Sequence, residues 1–186
     1  MDYYTPSTSI PSPDPSARWY AVWTKSRQEK SAAATLGSLG ISHYLPLYSE
    51  LRQWSDRKQA IQVPLFPGYL FVHVDLLSRN KRKVLMTPGV VKFVGNNSGP
   101  LAIPDRQIES VRSVMLSGAE CSVHPAFMEG DRVRVKNGPL AGIEGTLVRF
   151  GSKAQLVLSI EMIQRCVAVT VCQSDVELVS AAADVN

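Results

Sequence analysis

The sequence predicts an α+β fold: an N-terminal antiparallel sheet with flanking helices, then a small five-stranded β-barrel. Three observations predict it. Residues 18–118 interleave strand-like runs with helix-like ones. Residues 127–180 hold five short strand-like runs set between turn residues, as small barrels do. The charge also changes between the two: residues 18–118 carry 14 Lys/Arg against 6 Asp/Glu, net +8, and residues 119–186 carry 6 against 8, net −2.

Residues 1–17 hold four prolines and four serines and no apolar period, so they read as a disordered tail. In WYAVWT, Trp19, Ala21 and Trp23 alternate with Tyr20, Val22 and Thr24, a strand with its tryptophans on one face. Ser26-Arg27-Gln28-Glu29 has capping-box spacing, with Ala32, Leu36 and Leu39 at helical intervals after it and Gly40 as a stop. A strand is expected near His43–Leu47, and a basic hairpin or loop over Arg52–Val63. Gly68–Val74 is a strand: Tyr69, Phe71 and His73 point one way, and Leu70, Val72 and Val74 the other. A short helix within Leu76–Met86, a turn at Thr87-Pro88-Gly89 and a strand over Val90–Val94 follow. Pro104 opens a helix carrying Ile108, Val111 and Met115, and Gly118 closes it. Residues 119–126 read as a linker. The barrel strands are expected at Arg132–Lys136, Gly145–Phe150, Ala154–Ile160, Val167–Val171 and Val176–Val179, with residues 181–186 as a tail.

Several function classes find no support. No apolar run approaches the roughly 20 residues of a membrane helix, and the N-terminus lacks a signal-peptide pattern. Cys121, Cys166 and Cys172 lack C-x-x-C spacing, which fits a reducing, cytoplasmic setting without disulfides or zinc. His43, His73 and His124 have no ligand-spaced companions, and there is no Gly-rich phosphate loop. We expect no enzyme, no cofactor and no metal.

The residues themselves point to binding. A second apolar sheet face must be covered by the fold or serve as an interaction site. Arg79, Lys81, Arg82 and Lys83 form the densest charge run. Lys25, Arg27 and Lys30 straddle a helix start, where an anion is favoured. Arg52, Arg57 and Lys58 could extend that basic surface, with Trp54 as a stacking platform for a nucleic-acid base; for all of these charges the alternative is a merely solvated surface.

WYAVWTK, PLFPGYLFV, TPGVVKFVG and EGDRVRVKNGPLAGIEGTL are four separated motifs in one order. Through them the sequence resembles the NusG family of bacterial transcription elongation factors over about residues 18–180. The first three match that family's N-terminal domain and the fourth its KOW module. Within the family it looks closer to RfaH-like and capsule-operon (UpxY-type) antiterminators, since PLFPGYLFV-x-x-D is nearer to the RfaH pattern, whose run has Asn where this one has Gly68. The housekeeping factor's Ile-Phe-Gly-Arg loop is replaced by Ile160-Glu161-Met162-Ile163-Gln164-Arg165.

The resemblance implies a monomer that docks the clamp-helix coiled coil of RNA polymerase's largest subunit. The matching positions are Trp23, Phe66, Tyr69, Phe71, Val90 and Phe93. The alternative is that some of these pack beneath the sheet's own helices, Val90 and Phe93 above all. It places a gate-loop contact at Asn80, Lys81 and Arg82, and non-template DNA near the Lys25–Lys30 surface. A KOW partner loop at Met162, Ile163, Gln164 and Arg165 would meet a ribosomal protein or Rho. Suppressed pausing or termination is the expected outcome. The alternatives are a housekeeping factor acting with Rho, and an RNA-binding, ribosome-associated KOW protein.

Overall fold

The computed structural model describes residues 15–53, 58–119, 121–124, 130–150, 153–160 and 163–179. The chain divides into two compact units, residues 1–105 and 106–186.

The first unit is built on an antiparallel sheet in the order β2-β5-β1-β6 (His43–Tyr44, Tyr69–Val74, Arg18–Thr24, Val90–Phe93), with β9 (Ala102–Ile103) also paired to β1. β1 and β5 run in register from Arg18↔Val74 to Trp23↔Tyr69, so the two alternating patterns share faces. Tyr20, Val22, Leu70, Val72 and Val74 form one face. They pack in one core with Ala32, Ala33 and Leu36 of α1 (Glu29–Ser38) and Val84 of α2 (Arg79–Met86). This is the amphipathic solution: an aliphatic sheet face and the apolar stripe of a helix leave water together.

A separate two-stranded hairpin, β3 (Leu47–Gln53) with β4 (Lys58–Pro64), fills the region expected as a hairpin or loop. It is tied to α1 by Lys30 Nζ, which donates to the Gln62 carbonyl at 2.7 Å. A small pair, β7 (Gly95–Asn96) with β8 (Gly99–Pro100), follows β6. Sequence pattern did not single out this pair or β9, because two-residue strands carry no period.

The second unit contains α3 (Asp105–Ser117), with Ile108, Val111 and Val114 buried, and a six-stranded sheet. The sequence reading ended the first domain at Gly118; by compactness α3 from Arg106 groups with the second unit. The sheet order is β10-β14-β13-β12-β11-β15. Its members are Cys121–His124, Arg165–Thr170, Lys153–Ile160, Glu144–Phe150, Asp131–Val135 and Val176–Leu178. The last five are the expected barrel strands. β10 is a difference: it lies in the stretch read as a linker, and it pairs with β14. Val133, Val135, Leu156, Leu158, Ile160, Val167 and Val169 supply the buried set of this unit. Gly145 is required where β12 passes β13, since a Cβ there would stand 2.7 Å from the Val157 carbonyl oxygen.

Candidate functional site

The site is built around the turn of the PGY motif. Tyr69 N–H donates to the Phe66 carbonyl at 3.1 Å, closing a four-residue turn with Pro67 second and Gly68 third. Gly68 has φ +84, the left-handed value that this position of a type II turn needs. Its carbonyl accepts from Thr24 N–H at 2.8 Å, and its own N–H donates to Glu29 Oε1 at 2.8 Å. Glu29 is buried. The capping box is therefore not formed: the helix begins after Gln28 without a side-chain cap. The Glu29 carboxylate, itself buried, serves a tertiary contact instead, because the half-buried amide at Gly68 needs an acceptor more than an exposed serine amide does.

A second glycine closes the same corner. Gly89 has φ +90, and its carbonyl accepts from Lys25 N–H at 2.8 Å. A Cβ on Gly89 would lie 3.0 Å from Gln28 Cβ and 2.8 Å from its Oε1, and φ +90 itself favours glycine where the β6 turn meets the start of α1.

This frame sets Trp23 beside Tyr69 across the β1–β5 ladder. Trp23 is 47% exposed although it is the largest side chain at the end of its strand. Lys92, its partner on β6, holds its ammonium 5.5 Å from the indole centroid, a cation–π contact. Trp23, Tyr69, Lys92, Lys81 and Leu85 line a groove of about 550 Å³. Leu85, Met86 and Val91 add exposed apolar surface from α2 and β6. An exposed apolar patch edged by lysines has the chemistry to match an apolar surface with an acidic margin.

The six expected docking positions separate. Trp23 and the half-buried Tyr69 open into the groove. Phe66 and Phe71 do not: both are fully buried, with their rings edge to face at 5.9 Å, and Tyr44 stacks on Phe71 at 6.4 Å. This corrects the expectation of an open Tyr69–Phe71 face. Alternation assigns a face but not its cover, and here aromatic residues from β2 and the preceding loop supply it. Phe93 is buried edge to face with Tyr20 at 6.0 Å and belongs to the helix-covered core, against which the half-buried Val90 also packs. Both follow the alternative reading.

Asn80, Lys81 and Arg82 lie on the first half of α2, whose Ser78 cap accepts from Asn80 N–H at 3.2 Å. No acidic residue accompanies them on that helix. Lys25 and Arg27 are exposed at the turn before α1, where Arg27 adopts φ +62. Lys30 is exposed and engaged with the hairpin. Arg52 and Lys58 lie on β3 and β4; their side chains, and the whole of Trp54 and Arg57, fall outside the described residues. In the β13–β14 connection Met162 is likewise outside. Ile163 is buried and so offers no contact surface, whereas Gln164 is exposed with φ +50 and Arg165 is half-buried. Lys92 and Leu85 were missed by sequence reasoning. The available signal was Lys92 standing alone in the apolar run VVKFV.

Among the described residues no group of His, Cys, Asp or Glu could hold a metal ion, and no helix is long and apolar enough to cross a membrane.

Comparison with known proteins agrees with this architecture. Residues 17–112 match the family model described as transcription termination factor nusG. The transcription termination/antitermination protein NusG of Thermus thermophilus is 34% identical over 154 residues, covering 73% of this chain and 83% of that one. The Helicobacter pylori protein of the same name is 27% identical over 179 residues, covering 86% and 97%. The solved structure titled "Domain interaction in Thermotoga maritima NusG" superposes with a TM-score of 0.53 at 23% identity, covering 88% of this chain and 97% of that one, a likeness of fold. With the antiparallel sheet, its flanking helices and the C-terminal barrel in the expected order, the chain belongs to the NusG family of transcription termination/antitermination factors.

Proposed function

We propose that this chain binds RNA polymerase through the Trp23–Tyr69 groove, with the clamp-helix coiled coil of the largest subunit as its occupant. The observation that carries the reading is the exposed indole of Trp23, set against Tyr69 and held under Lys92. Rigid aromatics give large buried area for little lost rotamer freedom, as binding hot spots require. Asn80, Lys81 and Arg82 reach the opposite gate loop, and Lys25 and Arg27 lie toward the non-template DNA strand. Bridging both sides of the channel favours the closed polymerase over the open, paused one by the difference in affinity for the two states. Pausing and termination then fall. The second unit recruits a protein partner, in keeping with its net acidic charge, which disfavours RNA. Binding of the full chain to core polymerase tests the groove: Trp23→Ala with Tyr69→Ala abolishes it while the fold persists, and unchanged affinity refutes the assignment.

Within this role we infer specialised antitermination in the cytoplasm, because Ile160–Arg165 departs from Ile-Phe-Gly-Arg. The names of the matched relatives favour a second reading, the housekeeping factor that also acts with Rho. Rho pull-down by the full chain separates them: capture establishes the housekeeping role, and no capture, with transcripts extended past Rho sites in vitro, establishes the specialised one.

A further inference from the structure

The Trp23–Tyr69 groove has a chemical counterpart in the chain's own N-terminal segment. The groove joins apolar surface to cations: Trp23, Tyr69 and Leu85 line it beside Lys81 and Lys92. Met86 and Val91 expose more apolar surface from α2 and β6. Among the described residues no acidic side chain lines the groove. Residues 1–14 have the complementary composition. They carry Asp2 and Asp14 with no Lys or Arg, and Tyr3 and Tyr4 follow Asp2 directly. Segments that merely solvate a chain are poor in aromatics, so an aromatic pair beside a carboxylate asks for a partner. Rigid rings supply apolar area at little rotamer cost, and the carboxylate matches a lysine margin.

The reach also fits. Arg18 Nη1 donates to the Pro15 carbonyl at 2.7 Å and to the Ala17 carbonyl at 2.8 Å, and Ala17 is buried, so the root of the segment is fixed at the start of β1. Pro15 and Ser16 form a turn that breaks the line of the strand. Trp23 lies five residues farther along β1 than Arg18, roughly 17 Å at a rise of about 3.3 Å per residue. Tyr4 lies 11 residues before Pro15. A coil of that length has a root-mean-square span of roughly 17–20 Å. Effective concentration peaks when the span of a tether matches the distance it must cover, and it then reaches the order of 1 mM. A contact too weak to hold a free peptide is occupied under those conditions.

We propose that residues 1–14 dock in the Trp23–Tyr69 groove of their own chain, with Tyr3 and Tyr4 as apolar anchors and Asp2 matching its lysine margin, and that polymerase must displace them. The docking rests on the groove and the segment alone; its effect on polymerase rests on the polymerase reading of that groove. The tether sets the size of the effect. A self-ligand with a free Kd of about 0.1–0.5 mM, held at about 1 mM, weakens a competitor by one plus the ratio of the two, roughly threefold to elevenfold. A partner with more matched surface takes the groove, and adventitious apolar surfaces do not.

Two measurements on the full chain test this. The first needs no polymerase. The Trp23 indole N–H signal is compared by NMR between the parent chain and Tyr3→Ser with Tyr4→Ser. Trp23 should shift, and the buried Trp19 should not. An unchanged Trp23 signal overturns the docking and leaves the polymerase reading untouched. A difference seen only as protein concentration rises assigns the groove to the segment of a second copy and overturns the intramolecular assignment. The second measurement is titration with core polymerase. The double variant should bind more tightly than the parent by the factor above. A synthetic peptide of residues 1–14 at about 1 mM should return its affinity toward the parent value. A shifted Trp23 with equal polymerase affinities overturns the autoinhibition. The polymerase reading fails separately, and only if Trp23→Ala with Tyr69→Ala binds as tightly as the parent.

Discussion

The Gly68 amide donates to the Glu29 carboxylate at 2.8 Å, and this one bond joins the first turn of α1 to the turn that launches β5. Since the Gly68 carbonyl accepts from Thr24 N–H, the last residue of β1 is fixed by the same glycine. Gly68 also runs beside the Trp23 indole; a Cβ there would sit 3.6 Å from its Nε1. The proposed docking surface thus stands on a polar joint invisible from that surface.

Glu29→Ala should therefore destabilise the first unit by about 0.5–1.5 kcal/mol, the net worth of a hydrogen bond to a half-buried donor that water can partly reach. Glu29→Gln keeps a carbonyl in reach and should lose less than half of that. Gly68→Ala should cost about 1–2 kcal/mol through its left-handed backbone. Trp19, Trp23 and Trp54 are the only tryptophans and all precede residue 55, so urea unfolding followed by tryptophan fluorescence reads this unit alone. Equal midpoints for Glu29→Ala and the parent chain would show that the bond contributes nothing.

The same joint shows what the sequence could and could not convey. Strand alternation is local, so the partition of β1 and β5 into faces was legible, as were the five barrel strands. S-x-x-E was legible as a helix start but misassigned in role, because the competing partner of Glu29 lies 39 residues away in the chain. Phe66 and Phe71 were misplaced for a related reason: their cover comes from Tyr44 and from each other, contacts made only once β2 docks on β5. β10 had no readable signal, since four residues of mixed polarity become a strand only when β14 offers its edge.

Trp23 and Phe71 should part company on mutation, although both are aromatics on one sheet face. Trp23→Ala removes an exposed side chain and should shift stability by less than about 1 kcal/mol while weakening polymerase binding at least about tenfold. Phe71→Ala opens a buried cavity and should cost about 3–5 kcal/mol. Urea unfolding alongside polymerase titration checks both. A stable Phe71→Ala chain with lost binding would restore Phe71 as a docking residue.

Gly89→Ala should weaken the corner where the β6 turn meets α1. The added methyl meets Gln28 at 2.8 Å and the backbone holds φ +90, so a loss of about 1–3 kcal/mol is expected. Gln28→Ala in the same chain should recover part of this, because it removes the Oε1 the methyl strikes while the Cβ of residue 28, 3.0 Å away, remains. A double variant no more stable than Gly89→Ala would place the cost in the backbone angle and the 3.0 Å approach to the Cβ of residue 28, not in the Gln28 amide.

Glu144 links the barrel's stability to pH with a definite sign. Arg134 Nε donates to Glu144 Oε1 at 3.0 Å, and Arg132 stands within 3.9 Å of its other oxygen. The hydrogen bond from Arg134 is the main cause that holds the Glu144 carboxyl below its ordinary value, against a smaller opposing effect of burial. A depressed carboxylate contributes stability above its unfolded pKa and loses it as pH falls through the folded one. The Arg134 pKa is raised, chiefly by the same bond, so its share persists until strongly alkaline pH. The midpoint gap between the parent chain and Glu144→Gln should thus be present at neutral pH and close in acid, below the unfolded carboxylate range. Because the pair is solvent-exposed, it should also shrink in about 1 M salt. Urea unfolding followed by the amide signals of β11 and β12 isolates this unit. A gap that widens in acid would reverse the assignment.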